Sequence, residues 1–334
     1  MSMSWHAYHR CSRSILIVAL VLAALATCAH AQAWRPQRPV EMVVPTSPGG
    51  SIDATARLIQ SVAQAGRLVE VPIVILNKGG GAGGIALNYV DQRAGDGHCL
   101  LVSTMSLMTN HIQGRSKVTY TDYTPLATLF SEYMTLVVRP GSPLKSGRDI
   151  QEKLKRDPQS LSIGVGVALG AANHLTVALL AKAMGLDIKK LKTVVFQSNG
   201  EAQTALLGGH VDFSALSVAA ALRAYQDGSM RILGVTSEKR GEGALATIPT
   251  WKEQGYDVVF SNTRLLFGPK GMSAAQAAYW DGVLGQVVQT KEWKSEAEKD
   301  HAVSDYLDSK HAPQRMAAIY NQLKGALIDA GLAK

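Results

Sequence analysis

Residues 43–57, Val-Val-Pro-Thr-Ser-Pro-Gly-Gly-Ser-Ile-Asp-Ala-Thr-Ala-Arg, combine residue types that can hold an anion without a metal or a cofactor. Gly49 and Gly50 have no Cβ, so the backbone can approach a bound group closely and adopt φ > 0. Ser51, Ile52 and Asp53 follow as the start of an apolar-periodic stretch, Ala54, Leu58 and Val62, which predicts a helix. The first N–H groups of such a helix lack intrahelical partners and lie at the positive end of its dipole. The corner therefore suits a carboxylate or a phosphate. A plainer reading stands beside this one: Ser51 or Asp53 caps the helix and the glycines only make the turn.

The elements that must position this corner alternate short β-rich runs with helical stretches, the pattern of an α/β fold. Strands are expected over 41–44, 72–76, 100–103, 135–138, 162–165, 193–196, 213–216, 231–235 and 258–266. Helices are expected over 52–65, 82–94, 147–156, 173–184, 200–207 and 218–227, and the chain from Ser273 onward reads as helical throughout. A second glycine cluster, residues 77–84, follows the strand at 72–76. Gly79, Gly81 and Gly84 satisfy G-x-G-x-x-G there, but no acidic residue ends the next strand, where Ser103-Thr104-Met105-Ser106 reads as a turn. This loop is read as a second backbone-lined wall of the same anion site.

Other chemistries find no motif. The sequence has no H-E-x-x-H, G-x-S-x-G, C-x-x-C or P-loop, and the histidines from His98 onward (98, 111, 174, 210, 301 and 311) stand singly. Neither a cofactor nor a metal is expected. The formal charge of +8 is spread along the chain, with only short pairs such as Lys189-Lys190, which argues against nucleic acid and suits an anionic small molecule.

The N-terminus reads as an export signal. Arg10 and Arg13 precede the apolar run 15–26 and the small-x-small triplet Ala29-His30-Ala31, so residues 1–31 are expected to be a signal peptide cut after Ala31. Leu25-Ala26-Thr27-Cys28 offers a rival, a lipid-attachment box with cleavage before Cys28. Cys11 and Cys28 fall in the leader, which leaves Cys99, in the run Cys99-Leu100-Leu101-Val102, as the one mature thiol and a buried small hydrophobe. The 303 residues after the leader suffice for two domains.

The chain resembles the substrate-binding proteins of tripartite tricarboxylate transporters, the Bug family. The resemblance is carried by P-x-x-P-G-G-x-x-D-x-x-A-R from Pro45 to Arg57, the glycine loop 77–84 with Asp96-Gly97, and Tyr120-x-x-Tyr123-Thr124-Pro125-Leu126. It continues through Val137-Val138 with Ser146, Gly170-x-x-Asn173-His174-Leu175, residues 205–212, Val235-Thr236-Ser237-x-Lys239-Arg240 and Ile248-Pro249-Thr250-x-x-Glu253-Gln254-Gly255-Tyr256.

What the resemblance implies is a periplasmic, monomeric, non-enzymatic receptor with the two-domain, type II-like fold of periplasmic binding proteins. Two open mixed sheets flanked by helices would enclose the ligand cleft. Residues 33–137 and 263–334 would form the first domain and 138–262 the second. Carried over position by position, Ser47, Gly49, Gly50, Ser51 and Asp53 would line the first wall, with Gly81, Ala82 and Gly83 shaping it and Ser103 and Thr104 at the third strand end. The second domain would add Gly166, Ala168, Gly170, Asn173 and His174, with Gln197 and Ser198 on another loop, although Asn173 and His174 read equally well as the opening of a helix. Asp212 reads as structural, holding the turn into a strand.

Three departures bear on the ligand. Phe196-Gln197-Ser198-Asn199-Gly200 stands where the family has an aromatic-Lys-Gly triplet, Met108 where members carry His, and Leu216-Ser217 where an Asp-Asn pair is common. The wall with fewer charges points to a monocarboxylate, or a dicarboxylate with an apolar or aromatic body. Its partner would be the inner-membrane transporter subunits. A periplasmic sensor and a secreted enzyme acting on a carboxylate are the other readings.

Overall fold

The computed structural model describes residues 34–49, 51–166, 168–196, 198–299 and 302–334. The leader, both cleavage signals, Gly50 and Gln197 lie outside the described residues; of Ser51, Ala82 and Lys299 only the backbone is described. Ten strands and ten α-helices appear among them: β1 Val40–Val44, α1 Ser51–Ala65, β2 Ile73–Asn77, α2 Gly84–Asp91, β3 Cys99–Ser103, α3 Ser106–Ile112, β4 Thr124–Val138, α4 Gly147–Arg156, β5 Ser162–Gly166, α5 Ala172–Ala183, β6 Lys192–Phe196, α6 Asn199–Leu207, β7 Phe213–Ser217, α7 Val218–Gln226, β8 Arg231–Val235, β9 Ser261–Gly268, α8 Ala274–Val287, α9 Lys291–Lys299, β10 Val303–Leu307 and α10 Ala312–Asp329. No helix among the described residues is long and apolar enough to cross a membrane.

The strands follow one hydrogen-bonded path, β2-β1-β3-β9-β4-β7-β5-β6, and the long β4 joins its two mixed halves. In the first half β1 is parallel to β2 and β3, while β9 runs antiparallel to β3 and β4. In the second, β5 is parallel to β6 and β7, and β7 and β8 run antiparallel to β4. The change of partners falls at Tyr133, which pairs with Ser261 of β9, and Met134, which pairs with Ser217 of β7. The expected mixed α/β architecture is therefore present, with β4 common to both sheets.

Only the end of β4 was legible as a strand, because Pro125 and Ser131-Glu132 interrupt its apolar run. The fold resolves the charge: Glu132 Oε2 pairs with Nη2 of Arg264 on β9 at 3.1 Å, and Arg264 is buried. Ser131 hydrogen-bonds Thr263 Oγ1 and Asp305 Oδ2. The chain beyond Ser273 is not helical throughout. β10 pairs antiparallel with β4, Val303 opposite Ser131, and Asp305, a poor strand former, is held by Ser131 and by Arg315 at 3.2 Å.

The expected turn at 103–106 instead leads into α3, whose Leu107, Met108 and Ile112 are buried without a polar cap to announce the helix. The helix expected over 82–94 starts later, at Gly84, because residues 81–83 form a 3₁₀ turn and Gly83 has φ 90°. Cys99 is fully buried, and desolvation pushes its thiol up to about 12, which makes it a core group.

Candidate functional site

The corner after β1 is built around Asp53, three residues into the first turn of α1. Its Oδ2 accepts from the Gly49 N–H at 2.9 Å and from Arg57 Nε at 2.8 Å, and its Oδ1 accepts from Asn77 Nδ2 at 2.9 Å. The Arg57 bond above all, opposed by desolvation and helped by Gly49 and Asn77, lowers the carboxyl to about 2. Asp53 is 2% exposed, so it braces the corner from beneath and does not face outward as a wall. Gly49 takes φ 84°, the left-handed region, which lets its N–H turn back to Asp53. The Asp53 charge is matched by Arg57, so the dipole of α1 remains available to an anion.

The second glycine loop lies against the first. Asn77 Nδ2 also donates to the Thr46 carbonyl at 3.2 Å, and a Cβ added at Gly79 would stand 3.1 Å from the Ser47 nitrogen. One added at Gly83 would stand 3.5 Å from Pro45 Cβ. Ser47 and Gly49 thus share one edge with the backbone of 81–83. β3 runs parallel to β1 in the register Val43↔Leu101, so Ser103 and Thr104 leave the sheet at that same edge. Their hydroxyls serve local structure: Ser103 Oγ donates to the Thr104 carbonyl at 3.3 Å, and Thr104 Oγ1 accepts from the Ser106 N–H at 3.3 Å.

In the other half, parallel β5 and β6 end together at Gly166 and Phe196. A Cβ at Gly166 would lie 2.2 Å from Asn199 Oδ1 and 2.8 Å from its backbone nitrogen, so α6 starts directly on this glycine. Ser198 caps α6, its Oγ accepting from the Glu201 N–H at 3.1 Å. Ala168 takes part in a tight turn, its N–H reaching the Gly166 carbonyl at 3.1 Å. Asn173 donates to the Ala215 carbonyl of β7, and His174 Nδ1 accepts from the Gly170 N–H at 3.2 Å. Both side chains are buried, and desolvation lowers His174 to about 4, so the ring is neutral near pH 7 with its proton on Nε2. Asn173 and His174 therefore fix the 168–174 loop from within.

The two halves meet at Leu169 and Gly170. Gln113 Nε2 donates to the Leu169 carbonyl at 3.3 Å, and Arg115 Nη2 to the same oxygen at 3.4 Å. Thr46 Oγ1, Gln113 Oε1 and Asn199 Oδ1 are buried yet lack a hydrogen-bond partner among the described residues. Such atoms are uncommon and call for an explanation. All three stand on segments just described. Sequence reasoning assigned no role to Asn77, Gln113, Arg115 or Asn199. The i,i+4 spacing of Asp53 and Arg57 was a usable signal, whereas nothing local marks Gln113 or Arg115.

No group of three or more His, Cys, Asp or Glu among the described residues is placed to hold a metal ion. The chain is similar to protein BugT of Bordetella pertussis strain Tohama I, 27% identical over 286 residues that cover 84% of this chain and 86% of the relative. Among solved structures it is similar to a TctC solute-binding protein from Polaromonas without ligand, with TM-score 0.76 and 23% identity over 87% of this chain and 98% of that one. It is likewise similar in fold to an R. palustris protein with adipate, with TM-score 0.75 and 24% identity over 89% of this chain and 99% of that one. The TctC family model, described as the tripartite tricarboxylate transporter family receptor, matches residues 56–277. With that match added to the order of the motifs, this chain belongs to the tripartite tricarboxylate transporter receptor family.

Proposed function

We propose that this protein is a periplasmic, non-catalytic receptor that captures a small organic carboxylate and delivers it to an inner-membrane transporter of the tripartite tricarboxylate type. The observation that carries the reading is the braced corner: Asp53 holds Gly49 from below while Arg57 matches its charge, and the first turn of α1 is left to an anion. The family match and the adipate held by the R. palustris neighbour support the carboxylate class.

In this reading residues 33–137 with 263–334 and residues 138–262 are two lobes that close on the ligand. The bonds from Gln113 and Arg115 to the Leu169 carbonyl belong to the closed form. Closure is favoured by the contacts a ligand makes only when both halves reach it. Ser47 and the backbone N–H groups of Ser51 and of residues 81 and 82 are the donors of one lobe in this reading, since the Gly49 N–H is held by Asp53 and the Gly83 N–H by the Gly80 carbonyl. Gly166, residues 168–174 and Ser198 close the other side in this reading and bring no ionised side chain near pH 7. That wall favours an apolar or aromatic body behind the carboxylate.

Calorimetric titration of the mature protein against aromatic and aliphatic mono- and dicarboxylates tests this. An aromatic or long-chain carboxylate is expected to bind with Kd of about 1 μM, about −8 kcal/mol. Selective binding of succinate or citrate would overturn the ligand class. Binding only of uncharged or cationic solutes would overturn the receptor reading itself.

A further inference from the structure

We infer that the cavity between the start of α2 and residues 110–118 is a second anion subsite, which selects ligands carrying a second negative group. The inference rests on the carboxylate-receptor reading and deepens it. The cavity measures about 270 Å³ and is bounded by Gly81 and Gly84, Asn88 of α2, Asn110 of α3, Arg115 and Lys117, with no acidic side chain among its lining residues. A single water occupies about 30 Å³ of liquid, so the space holds a carboxylate group with solvent to spare.

Three features give the cavity its preference for an anion. Elsewhere near the strand ends the cations are engaged: Arg57 with Asp53, Arg93 with Glu41, Arg264 with Glu132, and Lys78 over the Tyr89 ring at 3.9 Å. Arg115 and Lys117 have no carboxylate partner among the described residues, and the Arg115 guanidinium reaches only the Leu169 carbonyl among them, at 3.4 Å. Two uncompensated positive charges thus face one concavity. Next, α2 starts without a side-chain cap: Gly83 precedes it at φ 90°, the Gly84 N–H turns back to the Gly81 carbonyl, and the positive end of the helix dipole lies at this glycine. Finally, Gly84 leaves the space open: it has helical φ −59°, and a Cβ there would meet nothing within 4 Å.

Arg115 ties this cavity to the principal site. Its guanidinium lines the space and also touches the loop of residues 168–171 from the opposite half. Gly81 belongs both to the glycine loop beside the Gly49 corner and to the cavity. A ligand whose first carboxylate sits at the corner would therefore extend its far end along the glycine loop to Arg115 and Lys117. A compact dicarboxylate fits this arrangement less well than one with a longer spacer.

The test is calorimetry with matched pairs of aliphatic monocarboxylates and α,ω-dicarboxylates of increasing length, on the wild type and on the Gly84→Asp and Lys117→Gln variants. Asp is favourable in the first turn of a helix, so Gly84→Asp is compatible with the fold while placing a negative charge in the cavity. Lys117→Gln removes a side chain with no partner to lose, and keeps the test open should the glycine variant fold poorly. Expected are a wild-type preference of about tenfold or more for the longer dicarboxylate over its monocarboxylate, weakened by salt, and a fall in that ratio of about fivefold in each variant. A wild type that binds both members of a pair equally, or variants that leave the ratio unchanged, would overturn the subsite alone. A wild type that binds no carboxylate of either kind would remove the receptor reading, and the subsite with it.

Discussion

Asp53 puts a full negative charge beneath a corner offered to anions, and the arrangement is workable because Arg57 stands one helical turn on and Asn77 reaches in from β2. Replacing Asp53 by Asn keeps the shape but removes the charge-assisted bonds, with an expected loss of about 2 kcal/mol in urea unfolding at pH 7. The folded carboxyl lies at about 2, below its ordinary 3.8, so the stabilisation is complete above pH 3.8 and disappears as pH falls toward 2. The wild type and Asp53→Asn should accordingly converge in stability below about pH 2. His174 supplies a separate window. Its ring, at about 4 against an ordinary 6.5, stays neutral in the fold while the unfolded chain takes up a proton, so stability declines as pH falls from 6.5 to 4. His174→Asn should flatten that part of the stability-versus-pH curve measured by urea titration at closely spaced pH values.

At the scale of elements, the antiparallel pair β4 and β9 carries one buried ion pair, Glu132 with Arg264, packed beside Phe130, whose ring lies 5.5 Å from the guanidinium. Neutralising one partner leaves the other charged and desolvated. Glu132→Gln is therefore expected to cost about 3 kcal/mol, and the Glu132→Leu, Arg264→Leu double variant distinctly less than Glu132→Gln. A double variant at least as unstable as Glu132→Gln in chemical denaturation would show that the pair is favourable in itself. Gly166 makes a second demand at this scale, because α6 begins against its Cα. Gly166→Ala would force a Cβ to within 2.9 Å of Asn199 backbone atoms, which cannot swing away as a side chain can. A loss of about 2 kcal/mol is expected, and Asn199→Ala should not restore it.

For the whole molecule, export and closure are the properties to measure. Cleavage after Ala31 predicts a mature chain beginning at Gln32, which intact-mass measurement of periplasmic protein reads directly; a lipid-modified chain beginning at Cys28 would contradict it. If two lobes close on the ligand, small-angle scattering should show a smaller radius of gyration when a bound carboxylate is added. Gln113→Ala, by removing a bond to Leu169, should weaken binding by a fewfold, mainly through faster release. An unchanged radius with saturating ligand would dismiss closure.

The sequence by itself determined the α/β alternation, most strand and helix positions, the two glycine loops and the family, because these follow from hydrophobic period and turn chemistry, which are local. Arg231–Val235 and Gly147–Arg156 form where the pattern put them. It also contained one plain reading that the structure upholds, a buried Cys99; α5 has no side-chain cap, and Asn173 and His174 instead bond the Ala215 carbonyl and the Gly170 N–H. What only the tertiary structure decided depended on partners distant in the chain. Glu132 belongs in a strand because Arg264 meets it, and Val303–Leu307 is a strand because β4 offers an edge. Asp53 faces inward because Asn77 and Arg57 converge on it, and Arg115 meets Leu169 because the topology brings together segments 54 positions apart. A charged or polar side chain does not disclose its partner in a local window, since the energy that places it comes from desolvation and pairing in the folded state.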